Sequence, residues 1–398
     1  MKICSSVTPP HFYPSHSLSF SPKSLSSLIQ RVKRVYHIFV TLSFSTGYKI
    51  ITNAKNFYNT IESNLCKINS LFFFFFFIFT SSLFAFEREN GNSYRVVTVP
   101  VTDLRQTPIN SSSGDQFAHD SLQETQLLYG EKVLVLEKKE GWSRVEALEQ
   151  PEWTHHEKWE GYPGWILSDH LTAIPPSGWK PNAVITVPSA EVREKPEGDA
   201  PLLLRLFLGT KMVGAQLIAP LPSSWQAVLL IDGRAGWIRK DQISSLEALH
   251  QLSPDELRER IIAAARSLIG TPYYWGGLSQ GVDCSGLIYL CYRANGIDLP
   301  RDAHEQWMKS KIIGVPAGAV RARPEQSRRE PPRQPADLVF LSSEEDPNQI
   351  SHVMLYSGNG SIIEGPGTGK SVHQISLDEK LSQNSHRKVY YATYFPKN

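Results

Sequence analysis

Between residues 90 and 250 the chain alternates apolar and polar positions in short runs. "VTVPVTDLRQTP" at 97–108 recurs in register as "ITVPSAEVREKP" at 185–196, and each copy closes alike, with "PGWILSDHL" from 163 and "AGWIRKDQI" from 235. Between these ends lie runs such as "EKVLVLEKKEGWSRVEAL" and "SSWQAVLLIDG", punctuated by Gly and Pro. Short strands with frequent turn signals predict small all-β units. Two are expected, at 94–175 and 180–246, the first carrying an insertion, "EQPEWTHHEKWEGYP". After residue 250 the period lengthens. In "SPDELRERIIAAARSLIG", Ser253 is an N-cap, Pro254 the first helical position and Glu256 completes a capping box. Ile261, Ile262, Ala265 and Leu268 form the apolar stripe of that helix, and Gly270 stops it. A second helix begins at Cys284 and ends at Asn295-Gly296. "ADLVFL", "ISHVMLYSG", "GSIIEGPG" and "KVYYATYF" then read as strands. Helices followed by an antiparallel sheet predict an α+β domain over 253–398. The stretch "AGAVRARPEQSRREPPRQP" has no apolar rhythm and reads as a flexible insertion, with a functional basic patch as the other reading.

The amino-terminal 86 residues change the picture of charge. They hold eight of the 41 basic side chains and one of the 39 acidic ones, so the rest of the chain is acidic by about five charges despite a formal net charge of +2. That balance argues against nucleic acid as a partner. The leader 1–86 ends in "CKINSLFFFFFFIFTSSLFAFEREN": Lys67, a short apolar core, then small residues. This is the layout of a signal peptide and predicts export; Leu83 at the expected −3 position makes a poor cleavage site. A membrane anchor or an upstream start codon are the competing readings.

Of the four cysteines, Cys4 and Cys66 lie in the leader. Cys284 and Cys291, seven apart on one helix, are separated by roughly 10 Å, beyond the ~7 Å reach of a disulfide. Cys291 fits a buried small side chain. Cys284 follows Gly281, Val282 and Asp283 where helical periodicity begins, so a helix amino terminus would lower its pKa and free backbone N–H groups could hold an oxyanion. A small core residue is the alternative. A thiol nucleophile needs a base, and the base an orienting group. His352 opens an apolar strand, and Glu364 lies twelve residues on. A hairpin turning on Asn359-Gly360 alone sets the two on opposite faces. A turn on Gly358-Asn359-Gly360 pairs Met354 with Glu364 and leaves His352 as the diagonal neighbour on the same face, about 7–8 Å away at the backbone. We expect the second register. No metal site is expected, since His155 and His156 lack ligand spacing with cysteines or acids and read as solvated.

"TPYYWGG", "DCSGLIYLCYRANGIDLPRDAHEQ", "ADLVFL" and "SHVMLYSG" together resemble the NlpC/p60 family of cell-wall cysteine peptidases, over about 255–396. The paired "GWI" ends resemble bacterial SH3-like domains. The whole layout is similar to the γ-D-glutamyl-diamino-acid peptidases acting on murein peptides. The resemblance implies a papain-like catalytic domain preceded by two small SH3-like β-barrels, with Cys284 as nucleophile, His352 as base and Glu364 as the third polar residue, a place where many members carry His. It further implies that Tyr273 and Trp275 line the cleft, that Tyr273 reaches the reacting carbonyl, and that Asp283 and Ser285, with Glu131 and Tyr162 from the first SH3-like domain, hold the peptide's free amine. Ala303 stands where relatives often have Ser, which removes one amine contact. The implied partner is a murein peptide, L-Ala-γ-D-Glu-diamino acid, in the cell wall; no cofactor and no stable protein partner are implied. An inactive wall-binding protein using its SH3-like modules is the rival reading, as is cytoplasmic recycling of murein peptides if the leader is not cleaved.

Overall fold

A computed structural model describes residues 93–110, 117, 119–175, 178–215, 224–312 and 333–395. The signal-like leader and most of the Arg- and Pro-rich insertion lie outside the described residues.

The internal repeat has a direct structural counterpart. The first copy forms β1 (Ser93–Val97), β2 (Val101–Arg105), β3 (Gln123–Leu128), β4 (Lys132–Lys139), β5 (Trp142–Glu152), β6 (Glu160–Leu167) and β7 (Leu171–Ala173). The second forms β8 (Ala183–Ile185), β9 (Ser189–Arg193), β10 (Leu202–Phe207), β11 (Lys211–Gly214), β12 (Trp225–Leu229), β13 (Ala235–Arg239) and β14 (Ile243–Ser245). The sheet orders are β3-β2-β6-β5-β4-β1-β7 and β10-β9-β13-β12-β11-β8-β14. Adding seven to each strand number of the first gives the second. The shared sequence pattern thus encodes one topology twice. Each sheet buries its alternate residues: Leu104, Val133, Val145 and Ile166 in the first, Val192, Leu206, Val228 and Ile238 in the second. The insertion lengthens the β5–β6 hairpin, whose ladder ends at the pair Glu152–Glu160.

The carboxy-terminal part begins with α1 (Leu246–His250) and α2 (Pro254–Ser267). The capping box of α2 forms as its sequence predicts, with the Ser253 N–H donating to Glu256 at 2.8 Å and the Glu256 N–H to Ser253 Oγ at 3.3 Å; such a cap stabilises by about 1 kcal/mol. Then come α3 (Cys284–Arg293), α4 (Ala303–Lys309) and α5 (Leu377–Gln383), with strands β15 (Lys311–Ile312), β16 (Leu338–Ser342), β17 (Ile350–Gly358), β18 (Ser361–Glu364), β19 (His373–Ser376) and β20 (Val389–Thr393). The sheet order β15-β20-β16-β17-β18-β19 is antiparallel throughout. All ten residues of α3 are buried. Leu287, Ile288 and Cys291 pack with Val353, Leu355 and Ile363 of the sheet and with Phe207 and Leu208 of the second repeat. Cys291 is therefore the core residue its position suggested, and Cys284 and Cys291 are both free thiols. Among the described residues no helix is long and apolar enough to cross a membrane.

The β17–β18 hairpin carries the expected register by an unexpected route. Leu355 pairs with Ile363 and Tyr356 with Ile362, which continued one step sets Met354 opposite Glu364. The turn, however, is not three residues long. Gly358 pairs with Ser361, leaving a two-residue Asn359-Gly360 turn with φ of 52° and 71°, the positive angles that an Asn-Gly hairpin turn takes. The extra residue is a bulge at Ser357. Two-residue turn and bulge together add up to the register that a three-residue turn would have given.

Candidate active site

α3 starts at Cys284 with Asp283 as its N-cap. Asp283 Oδ1 accepts the Gly286 N–H at 2.5 Å, and its Oδ2 accepts the Gly276 N–H at 2.9 Å. Gly286 has no room for a side chain: a Cβ there would lie 2.6 Å from the Gly277 carbonyl oxygen. Gly365, just past β18, packs on the other side, where a Cβ would meet the Asp283 carbonyl and Cys284 nitrogen at 3.3–3.4 Å. From β17 the backbone N–H of Val353, next to His352, is close enough to the Cys284 sulfur to favour its charged form, as is that of Ser285. Helix start, β17 and the end of β18 therefore converge on the thiol.

His352 is buried, and its Nε2 lies 2.5 Å from Glu364 Oε2. Burial alone would raise the Glu364 carboxyl; the His352 bond and Lys380, whose Nζ stands 2.8 Å away, hold it at about 2 instead. An ionised carboxylate only accepts, so Nε2 carries the hydrogen and Nδ1 is left as the basic nitrogen. Glu364 Oε1 also meets His373 Nε2 at 3.2 Å, its partner across the β18–β19 ladder. Burial lowers the His352 pKa, against the raising effect of Glu364. The imidazole is thus a neutral base at neutral pH.

The thiol departs from expectation. Burial, then the Asp283 carboxylate, push Cys284 up to about 12, outweighing the Val353 and Ser285 N–H groups and Arg301. The helix start does not win, because the sulfur is shielded from water and an acid sits beside it. At rest the pair is a neutral thiol and a neutral imidazole. Arg387 is close enough to the sulfur for their charges to interact. Tyr273 is buried and also within electrostatic reach of Cys284; burial raises its hydroxyl far above the usual value, so it stays a donor.

The remaining expected residues divide. Ser285 Oγ donates to Asp283 Oδ1 at 3.2 Å. Asp283 itself is taken by the fully buried Arg301, whose NH1 and NH2 reach its two oxygens at 3.1 and 2.8 Å. The carboxylate of Asp283, expected to meet the peptide's amine together with Ser285, is thus already paired with a buried cation. Trp275 is 43% exposed, its Nε1 donating to the Gln123 carbonyl of β3 at 2.9 Å. Glu131 is 2% exposed: it accepts from Gln150 at 2.9 Å and faces Arg293 at 3.3 Å. The acids that Tyr162 does meet are Asp302, at 2.8 Å, and Glu124, at 3.4 Å. Burial, against Arg301, pushes Asp302 up to about 7. His155, raised to about 10 by Glu124 and Glu152, closes this cluster, with its Nε2 3.6 Å from Glu124. Glu124, Asp302, Arg301 and Lys380 were all missed from the sequence. A signal for Glu124 existed: it sits among Gln123, Thr125 and Gln126, three polar residues of one strand that are all buried, which marks a strand facing a polar partner. Thr125 indeed accepts from Arg301 Nε at 2.8 Å, and Gln126 from the Leu278 N–H at 2.9 Å.

Residues 270–391 match the NlpC/P60 family, and residues 115–151 the bacterial dipeptidyl-peptidase SH3 domain. The γ-D-glutamyl-L-lysine dipeptidyl-peptidase of Bacillus subtilis (strain 168) is 30% identical over 269 residues, 66% of this chain and 78% of that protein. The chain belongs to the NlpC/P60 family. Its other NlpC/P60-like relatives include dipeptidyl-peptidase 6 of Lysinibacillus sphaericus, 28% identical over 64% of this chain and 84% of that one. A crystal structure of an NlpC/P60 protein from Bacillus cereus ATCC 10987 superposes with a TM-score of 0.60 at 23% identity, covering 76% of this chain and all of the other, and so shares its fold. The fold is that of NlpC/P60 proteins, mixed helix and sheet, with an SH3 domain ahead of it. In this NlpC/P60 chain Cys284, His352 and Glu364 all fall inside the matched 270–391 span.

Proposed function

We propose that the chain is a cysteine peptidase hydrolysing the γ-D-glutamyl–diamino acid bond of murein peptides, with Cys284 as nucleophile, His352 as general base and Glu364 orienting the imidazole. The observation that carries this reading is the 2.5 Å His352–Glu364 bond on the strand whose next N–H, at Val353, lies close enough to Cys284 to act on its sulfur. The names of the B. subtilis and B. cereus relatives, both γ-D-glutamyl-L-lysine dipeptidyl-peptidases, support the bond cleaved. Sγ attacks the γ-carbonyl carbon as Nδ1 of His352 takes the thiol proton. The oxyanion is held by N–H groups at the start of α3 and by the Tyr273 hydroxyl. The imidazolium gives its proton to the departing amine of the diamino acid, and the C–N bond breaks. Water, deprotonated by His352, then cleaves the thioester and releases the glutamyl product. Glu364 stays charged and stabilises the imidazolium.

The free amine of the peptide's first residue fits the cluster of Glu124, Tyr162 and Asp302 better than it fits Asp283. An ammonium there would favour the ionised form of Asp302, which burial pushes up to about 7 although Arg301 stands 3.8 Å away. This reading moves the amine site from Glu131 to Glu124, one β3 residue that reaches Tyr162. The layout proposed is a leader at 1–86, SH3-like domains at 94–175 and 180–246, and a papain-like catalytic domain at 253–398. The identical strand order of the two sheets supports reading the second as SH3-like too. A cleaved leader would put the enzyme outside the cytoplasm, at the wall. The inactive wall-binding alternative leaves the buried His352–Glu364 pair without a use. Incubation with L-Ala-γ-D-Glu-meso-diaminopimelate is expected to release the free diamino acid, and Cys284→Ala to abolish the release. Release that persists in Cys284→Ala would overturn the assignment.

A further inference from the structure

The insertion in the first sheet holds a cluster that the peptidase reading leaves without a role. Glu152 and Glu160 face each other as the last pair of the β5–β6 ladder. Like charges directly opposed across an antiparallel pair are destabilising, and here one of them, Glu152, is only 1% exposed. Its Oε2 accepts from the His155 N–H at 3.1 Å and faces His155 Nδ1 at 3.0 Å. Its Oε1 is buried and has no hydrogen-bond partner, an arrangement that costs about 1–3 kcal/mol or more for a charged group. His156 stands midway, four residues from each acid, and its Nδ1 contacts Glu160 Oε1. One ligand atom from each of Glu152, His156 and Glu160 lies within 4.8 Å of the other two. Ligands about 2.1 Å from a common zinc ion stand roughly 3.5 Å apart, so small side-chain rotations close the set. The hairpin that presents them is held independently: the Trp153 and Trp159 rings are 5.8 Å apart, Lys309 lies 3.9 Å over Trp159, and the Thr154 N–H donates to Glu305.

We propose that Glu152, His156 and Glu160 form a binding site for a divalent transition cation of the zinc class. Two carboxylates and one imidazole neutralise the ion's charge, give it the nitrogen and oxygen donors it prefers, and leave a fourth position for water. The ion supplies the partner that Glu152 Oε1 lacks and removes the repulsion between the opposed acids. Lys158, whose Nζ is 2.6 Å from Glu160 Oε2, competes for the same carboxylate. The proposal does not depend on the peptidase reading, since none of the three ligands belongs to the thiol centre.

The test is a titration of the full chain, stripped with chelator, with Zn²⁺ by calorimetry and Co²⁺ by visible absorption. It uses a background in which Cys4, Cys66 and Cys284 are all replaced by Ala, leaving only the buried Cys291. One equivalent of either ion is expected to bind and to raise Tm. His156→Ala and Glu160→Gln should each weaken binding at least tenfold and abolish the Tm shift, and Lys158→Ala should tighten binding several-fold. His156 is 58% exposed on its side chain, so its replacement leaves the fold intact; the Tm measured without metal verifies this. No saturable binding below about 100 µM, or binding unchanged in both His156→Ala and Glu160→Gln, would overturn the proposal.

Discussion

At the scale of single residues, the site is a contest between burial and pairing. Burial lowers His352 and raises Cys284, so the resting centre is uncharged, while pairing keeps Glu364 ionised to about pH 2. The sign of the pH dependence follows. The imidazole is a base only when unprotonated, and its folded pKa lies below the ordinary ~6.5. Activity is therefore expected to hold down to a pH below 6.5 and then fall through a single protonation belonging to His352; a pH–rate profile of kcat checks this. Glu364→Gln keeps a side chain that can accept from Nε2 but removes its charge, so it should lower kcat by roughly 10²-fold or more and move the acid limb lower still. The amine cluster makes a separate prediction. Glu124→Gln and Asp302→Asn should raise KM for peptides with a free amino terminus and leave N-acetylated analogues unaffected, whereas Glu131→Gln should change Tm rather than KM. Steady-state kinetics on the paired substrates, with thermal melts, distinguish these outcomes.

At the scale of elements, the β17–β18 hairpin decides whether the base and its orienting acid share a face. Ile362 is buried in one apolar layer, with Val339 and Met354, and Ile363 in the other, with Val353 and Leu355. With both faces of β18 apolar, the hydrophobic pattern does not fix the register; the turn and the Ser357 bulge do. Deleting Ser357 removes the extra residue but keeps Tyr356 opposite Ile362, so Glu364 is expected to stay on the His352 face and activity to persist, whereas a slip by one residue would carry Glu364 to the opposite face. Loss of the hydrogen-bonded His352 Nε2–H resonance in NMR spectra would report such a slip directly. The same hairpin shows what sequence could and could not reveal. Helix caps at Ser253 and the face shared by His352 and Glu364 were legible because they depend on neighbours in the chain or one strand away. The bulge was not, because an Asn-Gly turn with a bulge and a three-residue turn give the same register. The proposed exchange of Glu124 for Glu131, and of Asp302 for Asp283, was out of reach of the sequence for another reason. What decides it is Arg301, which occupies Asp283, and Arg293, which occupies Glu131. Each pairing joins residues far apart in sequence, at 18 and 162 positions.

At the scale of the whole molecule, a buried arginine ties the three parts together. Arg293 at the end of α3 donates to the Gly209 carbonyl after β10 at 2.9 Å and to Glu149 of β5 at 2.7 Å, and faces Glu131. Lys211 of β11 adds an ion pair to Asp298 at 2.8 Å. Arg293→Met would leave Glu131 buried without its cation, while Glu149 keeps Lys211 at 3.6 Å, and is expected to cost about 3 kcal/mol, seen as a lower midpoint in urea unfolding. The docking this arginine secures has a further meaning. In the proposed reading the groups that break the bond come from the last third of the chain, but Glu124, assigned to the peptide's free amine, lies on β3 of the first sheet. Reactivity and choice of substrate are thus written in separate stretches of the gene, and a few changes on β3 or in its neighbouring hairpin could redirect the enzyme to a different peptide terminus while its thiol, imidazole and carboxylate stayed as they are.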